Sequence, residues 1–120
     1  SPELLRSWLY SEGFDIVDES LCKDEGRIYN IMKVRWSGEK RVMDEIECYI
    51  GSMLIEKRDP LLGELTLRKL KQTEKVLMQL KKSSESERTS DLSEYYERLR
   101  SKLEEIRDRL KSKEGENPCP

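Results

Sequence analysis

Few side chains in this sequence could do chemistry, and most enzyme classes lack their usual groups here. The 120 residues contain no histidine, the commonest general base and metal ligand. The glycines are widely spaced, so no GxGxxG or P-loop motif is present to hold a phosphate or a nucleotide cofactor. Asp18 and Glu19 are adjacent acids in a predicted strand, where neighbouring side chains point to opposite faces. They cannot act as a catalytic pair, and we interpret both as solvated charges on an edge strand.

The cysteines and two aromatic residues could also react or bind, but their sequence context favours structural roles. Cys22, Cys48 and Cys119 are an odd number without CxxC spacing, which is typical of free thiols. Reactive thiols need an electropositive pocket, and acidic neighbours argue against one here. Tyr29 and Trp36 could stack on nucleic-acid bases. Their alternation along a predicted strand instead favours positions in the core.

The strongest functional signal is a cluster of basic residues between positions 65 and 82. Six residues there are basic and one is acidic, although the whole chain has a formal net charge of −2. At about 100° per residue, four of them fall within about 60° of helix surface, opposite Leu70 and Leu77: Arg68, Lys71, Lys75 and Lys82. Charge runs are usually solvated faces. Clustering of one sign also fits contact with an RNA backbone, and both interpretations stay open on the residues alone.

The first third of the chain predicts a helix followed by a strand pair. Apolar residues recur at a helical period up to position 9, and Gly13 ends that helix because glycine takes the left-handed conformation without penalty. The runs 14–21 and 28–36 alternate as strands around a turn at 24–26. The second run is apolar on both faces, so it needs cover on both sides. One helix cannot supply that cover, and the stretch therefore predicts the last third of a larger α/β sheet.

The last two thirds predict helices. Asp59 as the cap and Pro60 in the first helical position predict the start of a long helix that runs to about Lys82. Its inward-facing residues follow three-four spacing at Thr66, Leu70, Thr73, Leu77 and Leu80. A Ser/Glu/Thr loop follows over 83–90. Asp91 with Glu94 then predicts a second helix with a heptad seam at Leu92, Tyr96, Leu99, Leu103, Ile106 and Leu110. A loop of this size between two seamed helices predicts an antiparallel hairpin.

An ordered string of short motifs carries a family resemblance: Leu5-Arg6 with Trp8-Leu9-Tyr10, then Ile16-Val17-Asp18-Glu19, then Glu25-Gly26-Arg27 with Tyr29. This string resembles the bacterial tRNA adenine-22 N1-methyltransferase family. The similarity continues through Gly51, Leu54 and Glu56-Lys57 into the helical tail. Ser52 departs from it, since proline is expected after the glycine. The resemblance covers nearly the whole chain but only the C-terminal half of the family.

The resemblance implies an α+β fragment. Residues 1–37 would form the end of a Rossmann-like class I methyltransferase sheet, with a helix and a strand pair. Residues 38–58 would be a connecting helix, over Val42–Ile50, and a linker. Residues 59–114 would be an antiparallel helical hairpin of coiled-coil type, and 115–120 a disordered tail.

The resemblance also implies a function: the C-terminal part of an S-adenosylmethionine-dependent enzyme that methylates a tRNA adenine. The chain would close the sheet and offer tRNA a basic arm through Arg68, Lys71, Lys75 and Lys82. No residue is assigned to catalysis, cofactor or metal, because the cofactor loop belongs to the N-terminal half of the family, which this chain lacks. Whether the chain is itself an enzyme stays open.

The alternative function is a non-enzymatic helical-hairpin module for protein interaction, whose apolar seam receives a third helix or dimerises. In either case the partners include no membrane, because no apolar run approaches the roughly 18 residues of a span. Free thiols and the absence of a signal peptide predict a cytoplasmic protein. The poorly covered apolar faces predict self-association or binding of the missing N-terminal half.

Overall fold

The computed structural model describes residues 1–83 and 85–115, with side chains up to residue 112. The chain divides into two units, Ser1–Leu62 and Gly63–Pro120. The first unit contains α1 (Pro2–Ser11), β1 (Phe14–Asp24), β2 (Arg27–Trp36), α2 (Glu45–Ile50) and α3 (Ser52–Glu56). The long helices are α4 (Leu62–Lys82), which starts at the unit boundary, and α5 (Glu87–Gly115).

Gly13 ends α1, as predicted, and also anchors the end of β2. Its φ of 92° lies in the region that favours glycine. Its carbonyl oxygen accepts hydrogen bonds from the backbone N–H groups of Ser37 and Gly38, each at 2.9 Å. A Cβ at this position would lie 3.2 Å from the Trp36 ring. Both the backbone conformation and the close approach of the loop after β2 therefore require glycine.

The strand pair is an antiparallel hairpin with a two-residue turn. Glu25 and Gly26 both have positive φ angles, 49° and 78°, as a type I′ turn requires. The turn is shorter than predicted, so both strands extend further towards it. A register shift between Ile16 and Asp18 leaves Val17 as the extra residue of a β-bulge. The bulge reverses the alternation along β1, because residues after it swap faces.

The reversed alternation corrects the interpretation of the two adjacent acids. Asp18 points outward with a side chain that is 52% exposed, and it pairs with Lys57 Nζ at 3.1 Å. That hydrogen bond lowers the pKa of the Asp18 carboxyl. Glu19 is only 1% exposed, on the same face as Ile16 and Leu21. The prediction of a solvated edge charge is confirmed for Asp18 and wrong for Glu19, because the bulge turns Glu19 inward.

Glu19 forms a buried ion pair with Arg6 of α1. Arg6 Nε donates to Glu19 Oε1 at 2.9 Å, and Arg6 Nη2 donates to Oε2. Arg6 Nη1 also donates to the Cys48 carbonyl at 2.5 Å, and Asn30 Nδ2 donates to Glu19 Oε2 at 2.8 Å. This network, the Arg6–Glu19 network, joins α1, both strands and α2.

Gly51 lies directly over the Arg6–Glu19 network. Its φ is 102°, and it ends α2 as predicted. A Cβ there would lie 2.8 Å from both Arg6 Nε and Glu19 Oε1. The junction between α2 and α3 can sit on the ion pair only because this residue has no side chain.

The helices cover one strand of the hairpin. Leu9, Tyr10 and Ile16 form a buried cluster between α1 and β1, and Leu54 of α3 is fully buried. Helix α2 begins at Glu45 rather than at position 42, because the Asp44 side chain accepts from the N–H of Ile46 and so caps the helix. Helices α1 and α3 make their main contacts with β1, whereas β2 pairs with β1 and reaches the buried cluster through Met32.

The turn before α4 is tied to the edge of β1. Asp59 is buried, and its Oδ2 accepts from the Leu21 N–H at 3.1 Å while its Oδ1 accepts from the Leu61 N–H at 2.9 Å. The predicted helix start, with Asp59 as the cap and Pro60 in the first helical position, is two residues early, because the helix begins at Leu62. Asp59 instead joins the turn before α4 to the edge of β1.

In the second unit the middle of each predicted seam is buried. In α4 the buried residues are Thr66, Leu70, Thr73 and Leu77, and in α5 they are Leu99, Leu103 and Ile106. Helix α5 starts at Glu87, where the Ser86 hydroxyl accepts from the Thr89 N–H at 3.2 Å. The predicted start at Asp91 is wrong, because serine offers a cap five residues earlier. Apart from Gly115, the last residue of α5, the predicted disordered tail lies outside the described residues.

We expect Gly51→Ala to destabilise the chain more than Gly26→Ala. Both positions have positive φ, which costs an alanine about 1–2 kcal/mol. Only Gly51 has neighbours within 4 Å, and displacing them adds about 1–3 kcal/mol. Urea unfolding of the two variants measures the difference. Equal losses would show that the ion pair does not constrain this junction.

We expect Glu19→Gln to lower the free energy of unfolding by about 3–5 kcal/mol, because it leaves the buried Arg6 charge uncompensated. Asp18→Asn is the matched control: it removes the neighbouring charge from an exposed pair and should leave the unfolding midpoint nearly unchanged. Both midpoints are measured at neutral pH. A similar effect of the two variants would contradict the burial of Glu19.

We expect Thr73→Val to increase the free energy of unfolding by about 1 kcal/mol and therefore to raise the melting temperature. Thr73 Oγ1 is buried and has no hydrogen-bond partner among the described residues, so valine of the same shape removes only an unsatisfied group. Thr66 is equally buried but has an interaction partner, so Thr66→Val should not stabilise. Calorimetry of both variants tests this contrast, and a destabilised Thr73→Val variant would contradict it.

Candidate functional site

The predicted basic residues lie on exposed positions of one helix. Arg68, Lys71, Lys75 and Lys82 all belong to α4 and all are exposed, whereas Leu70 and Leu77 are 4% and 5% exposed. We call these four residues the basic face. From Arg68 to Lys82 it extends over about 21 Å of helix at about 1.5 Å per residue. The burial pattern agrees with the predicted separation of the basic face from the apolar seam.

The charges of the basic face differ in how they are engaged. Arg68 Nη2 pairs with Glu64 Oε2 at 2.5 Å, one helical turn before it. Within residues 1–83 and 85–112, no carboxylate forms a salt bridge with Lys71, Lys75 or Lys82. Exposed lysines are compact, flexible point charges, which suits contact with phosphate oxygens. The three lysines can therefore offer their charge to a partner without breaking an ion pair among these residues.

Two apolar residues beside the basic face were missed by sequence reasoning. Leu67 is 49% exposed and Met78 is 63% exposed. At about 100° per residue they project within about 20° of each other, next to Lys71. Their spacing of eleven residues, three helical turns, was the available signal. They lie off the seam, so the pattern of the seam did not include them.

The aromatic residues of β2 lie at the surface. Trp36 is 63% exposed and Tyr29 is 46% exposed, so their predicted core positions are wrong. Trp36 packs edge-on against Phe14 at 5.2 Å between ring centroids, and Phe14 stacks on Trp8 at 6.2 Å. The reason is one-sided cover: the helices pack on β1 and leave β2 largely open.

The described residues offer no evident catalytic or metal centre. Cys48 is buried, and burial raises the pKa of its thiol although Arg6 opposes the shift, so little reactive thiolate forms at neutral pH. Cys22 is exposed, and Cys119 lies outside the described part of the chain. No cluster of three His, Cys, Asp or Glu side chains in that part could hold a metal ion. Its helices are too short or too polar to cross a membrane.

Comparison with solved structures shows which fold the chain shares. The B. subtilis tRNA methyltransferase TrmK matches with a TM-score of 0.72 at 17% identity, over 88% of this chain and 47% of that chain. Streptococcus pneumoniae Sp1610, solved with S-adenosyl-L-methionine, matches with a TM-score of 0.64 at 19% identity, over 88% of this chain and 42% of that chain. A Streptococcus agalactiae protein of the NADB-Rossmann superfamily matches with a TM-score of 0.66 at 18% identity, over 88% of this chain and 43% of that chain. This chain thus spans less than half the length of these relatives.

The amino-acid sequence matches no curated protein sequence, but it does match a family model. The family model of TrmK, the tRNA (adenine(22)-N(1))-methyltransferases, matches residues 1–112. That match covers the α+β unit together with α4 and nearly all of α5. The chain therefore belongs to the TrmK family of tRNA (adenine(22)-N(1))-methyltransferases.

Proposed function

We propose that this chain is the C-terminal part of an S-adenosylmethionine-dependent tRNA adenine-N1 methyltransferase. In this proposal the first unit closes the sheet of the methyltransferase domain, and α4 and α5 form a helical arm that binds tRNA. The observation that carries the arm is the basic face, a one-sign set of exposed charges on a chain of net charge −2. Family membership supplies the reaction class.

The division of labour follows from what the chain contains. Its sequence has no Gly-rich loop, and Rossmann-like folds bind their cofactor at such a loop after the first strand. S-adenosylmethionine would therefore be held by the N-terminal half of the family. This chain would complete the sheet of the methyltransferase domain and would position the tRNA substrate. This agrees with the comparisons, in which the chain covers less than half of the solved relatives.

The arm is proposed as an antiparallel hairpin of α4 and α5, within residues 59–114. Its support is the burial of Leu70 and Leu77 in one helix and of Leu99 and Leu103 in the other, at heptad-like spacing. With these seams packed together, the basic face points to solvent. Lysines there would contact phosphates and position the tRNA, because backbone contacts carry no direct base information.

A partner-binding module remains the second candidate, and one observation favours it. Leu67 and Met78 are exposed apolar side chains on the same side of α4 as Lys71. A protein helix laid on this side would bury them, and such binding would depend mainly on apolar contacts. RNA binding through the basic face would instead weaken steeply as salt increases. Salt dependence therefore distinguishes the two candidates.

We expect a double variant with Lys71→Glu and Lys75→Glu to bind tRNA about ten-fold or more weakly, because two phosphate contacts become repulsive. The control is Arg98→Glu with Arg109→Glu, the same charge change on exposed residues of α5, whose composition is balanced. Fluorescence anisotropy with an unmodified tRNA transcript gives both affinities at two salt concentrations. Four phosphate contacts give a log–log salt slope of roughly −3.

The melting temperatures of both double variants should match that of the parent chain, since all four residues are exposed. If the α4 variant binds tRNA like the parent at both salt concentrations, the basic face is only solvated surface. The same conclusion follows if the α5 control loses as much affinity. Binding that is insensitive to salt would favour the partner-binding module.

A further inference from the structure

A row of exposed residues along α4 mixes apolar and charged side chains in a regular order. Its members lie three or four residues apart: Leu67, Lys71, Glu74, Met78 and Lys82. Residues at this spacing are neighbours on a helix surface, so the five side chains form a continuous row. From its first to its last residue the row extends over about 22 Å, at about 1.5 Å per residue. We call this row the α4 strip.

The apolar members of the α4 strip do not suit a protein groove as the occupant. Leu67 is 49% exposed and Met78 is 63% exposed. Helices that bind a protein groove present apolar anchors three, four and seven residues apart. Here eleven residues separate the two, and Lys71 and Glu74 lie between them. A protein laid along the strip would bury both charges, which is costly unless each charge is paired.

Glu74 is the only acid between positions 65 and 82. Its exposed carboxylate lies beside Lys71 and Lys75 and lowers the attraction of this surface for phosphate. It forms no salt bridge with these lysines or with any other described residue. An ionised carboxylate only accepts hydrogen bonds, and the ribose 2′-hydroxyl is a hydrogen-bond donor that RNA has and DNA lacks. Glu74 therefore suits contact with ribose rather than with phosphate.

We propose that the α4 strip lies across the minor groove of a double-helical RNA segment and contacts its sugar edge. This inference rests on the proposed function, because that function brings RNA to the basic face. Lys71 and Lys82 then contact phosphates, and Glu74 accepts a hydrogen bond from a 2′-hydroxyl. Leu67 and Met78 pack against ribose carbons, as apolar side chains do in proteins that bind the DNA minor groove. Glu74 is the residue that makes the contact specific for RNA.

The shape and composition of α4 favour a duplex over a single strand. Single strands are bound mainly by stacking bases on aromatic side chains, and residues 62–82 contain none. The minor groove of an A-form RNA duplex is wide and shallow and displays the 2′-hydroxyls, whereas its major groove is too deep and narrow to be read. A continuous helix of 21 residues presents the α4 strip as a straight edge for such a groove.

The first test compares two duplexes of about 16 base pairs, the length that a double-stranded RNA-binding domain spans. One is RNA, and in the other fluorine replaces each 2′-hydroxyl, which keeps the A-form and removes the donor. We expect the 120-residue chain to bind the RNA duplex about ten-fold more tightly in fluorescence anisotropy, as loss of a hydrogen bond to a charged group implies. Glu74→Ala should bind the RNA duplex about ten-fold more weakly, although it removes a repulsive charge, and should lose the preference.

The matched control for Glu74→Ala is Glu94→Ala, which makes the same change at an exposed acid of α5 and should keep the preference. The apolar contact is tested by a double variant with Leu67→Ser and Met78→Ser, expected to bind the RNA duplex about five-fold more weakly. Its control is Val42→Ser, because Val42 is 98% exposed outside α4. All these side chains are exposed, so the melting temperatures should match that of the parent chain.

The proposal is overturned if Glu74→Ala binds the RNA duplex as tightly as the parent, or if the parent binds both duplexes equally. It is also overturned if the Leu67 and Met78 double variant binds RNA like the parent, since these side chains would then be left for a protein partner. The Lys71 and Lys75 double variant separates this failure from that of the arm. If its tRNA affinity falls while Glu74→Ala has no effect, the basic face still binds RNA and only the sugar-edge contact is lost.

Discussion

The buried pair of Arg6 and Glu19 is the interaction on which the first unit depends. Both side chains are almost fully removed from water, and neither charge is tolerable there alone. The Arg6 guanidinium donates hydrogen bonds to the Glu19 carboxylate and to the Cys48 carbonyl of α2. The Asn30 side chain of β2 donates to the same carboxylate. Such a pair contributes little net stability compared with apolar packing. The pair instead favours a single arrangement of α1, β1, β2 and α2, because other arrangements would leave a buried charge unpaired.

That arrangement explains the asymmetry of the hairpin. The ion pair draws α1 and the α2–α3 junction onto β1, and Gly51 allows the junction to approach closely. Asp59 then closes the β1 edge. Nothing comparable covers β2 among the described residues, so its backbone and apolar side chains stay available.

The second unit has a different physical character. Its buried residues follow single stripes on long, highly charged helices, which leaves a large solvated surface. On α5 the two signs of charge balance, whereas on α4 four of the six bases lie on one side. Such a distribution is costly only through self-repulsion and is useful for attracting a polyanion. The exposed Leu67 and Met78 next to it are the feature that a purely electrostatic account leaves unexplained.

The sequence by itself determined most of the elements and the family. Local signals carried that information: the period of the apolar residues, Gly13 and Gly51 as stops, and the motif string whose family is now confirmed. The seams of α4 and α5 and the exposure of the basic face also followed from helical periodicity. The start of α5 was misplaced because Ser86 and Asp91 are both good caps, and local chemistry does not rank them.

Only the tertiary structure decided the roles of Glu19, Tyr29 and Trp36. A bulge at Val17 reversed the alternation of β1 and moved Glu19 from the surface into a buried ion pair. Alternation alone cannot reveal a bulge, because the extra residue depends on how the two strands pair. The aromatic residues were assigned to a core from their alternation, but burial also requires an element to cover them. In this chain the helices cover β1, so β2 keeps its apolar side chains at the surface.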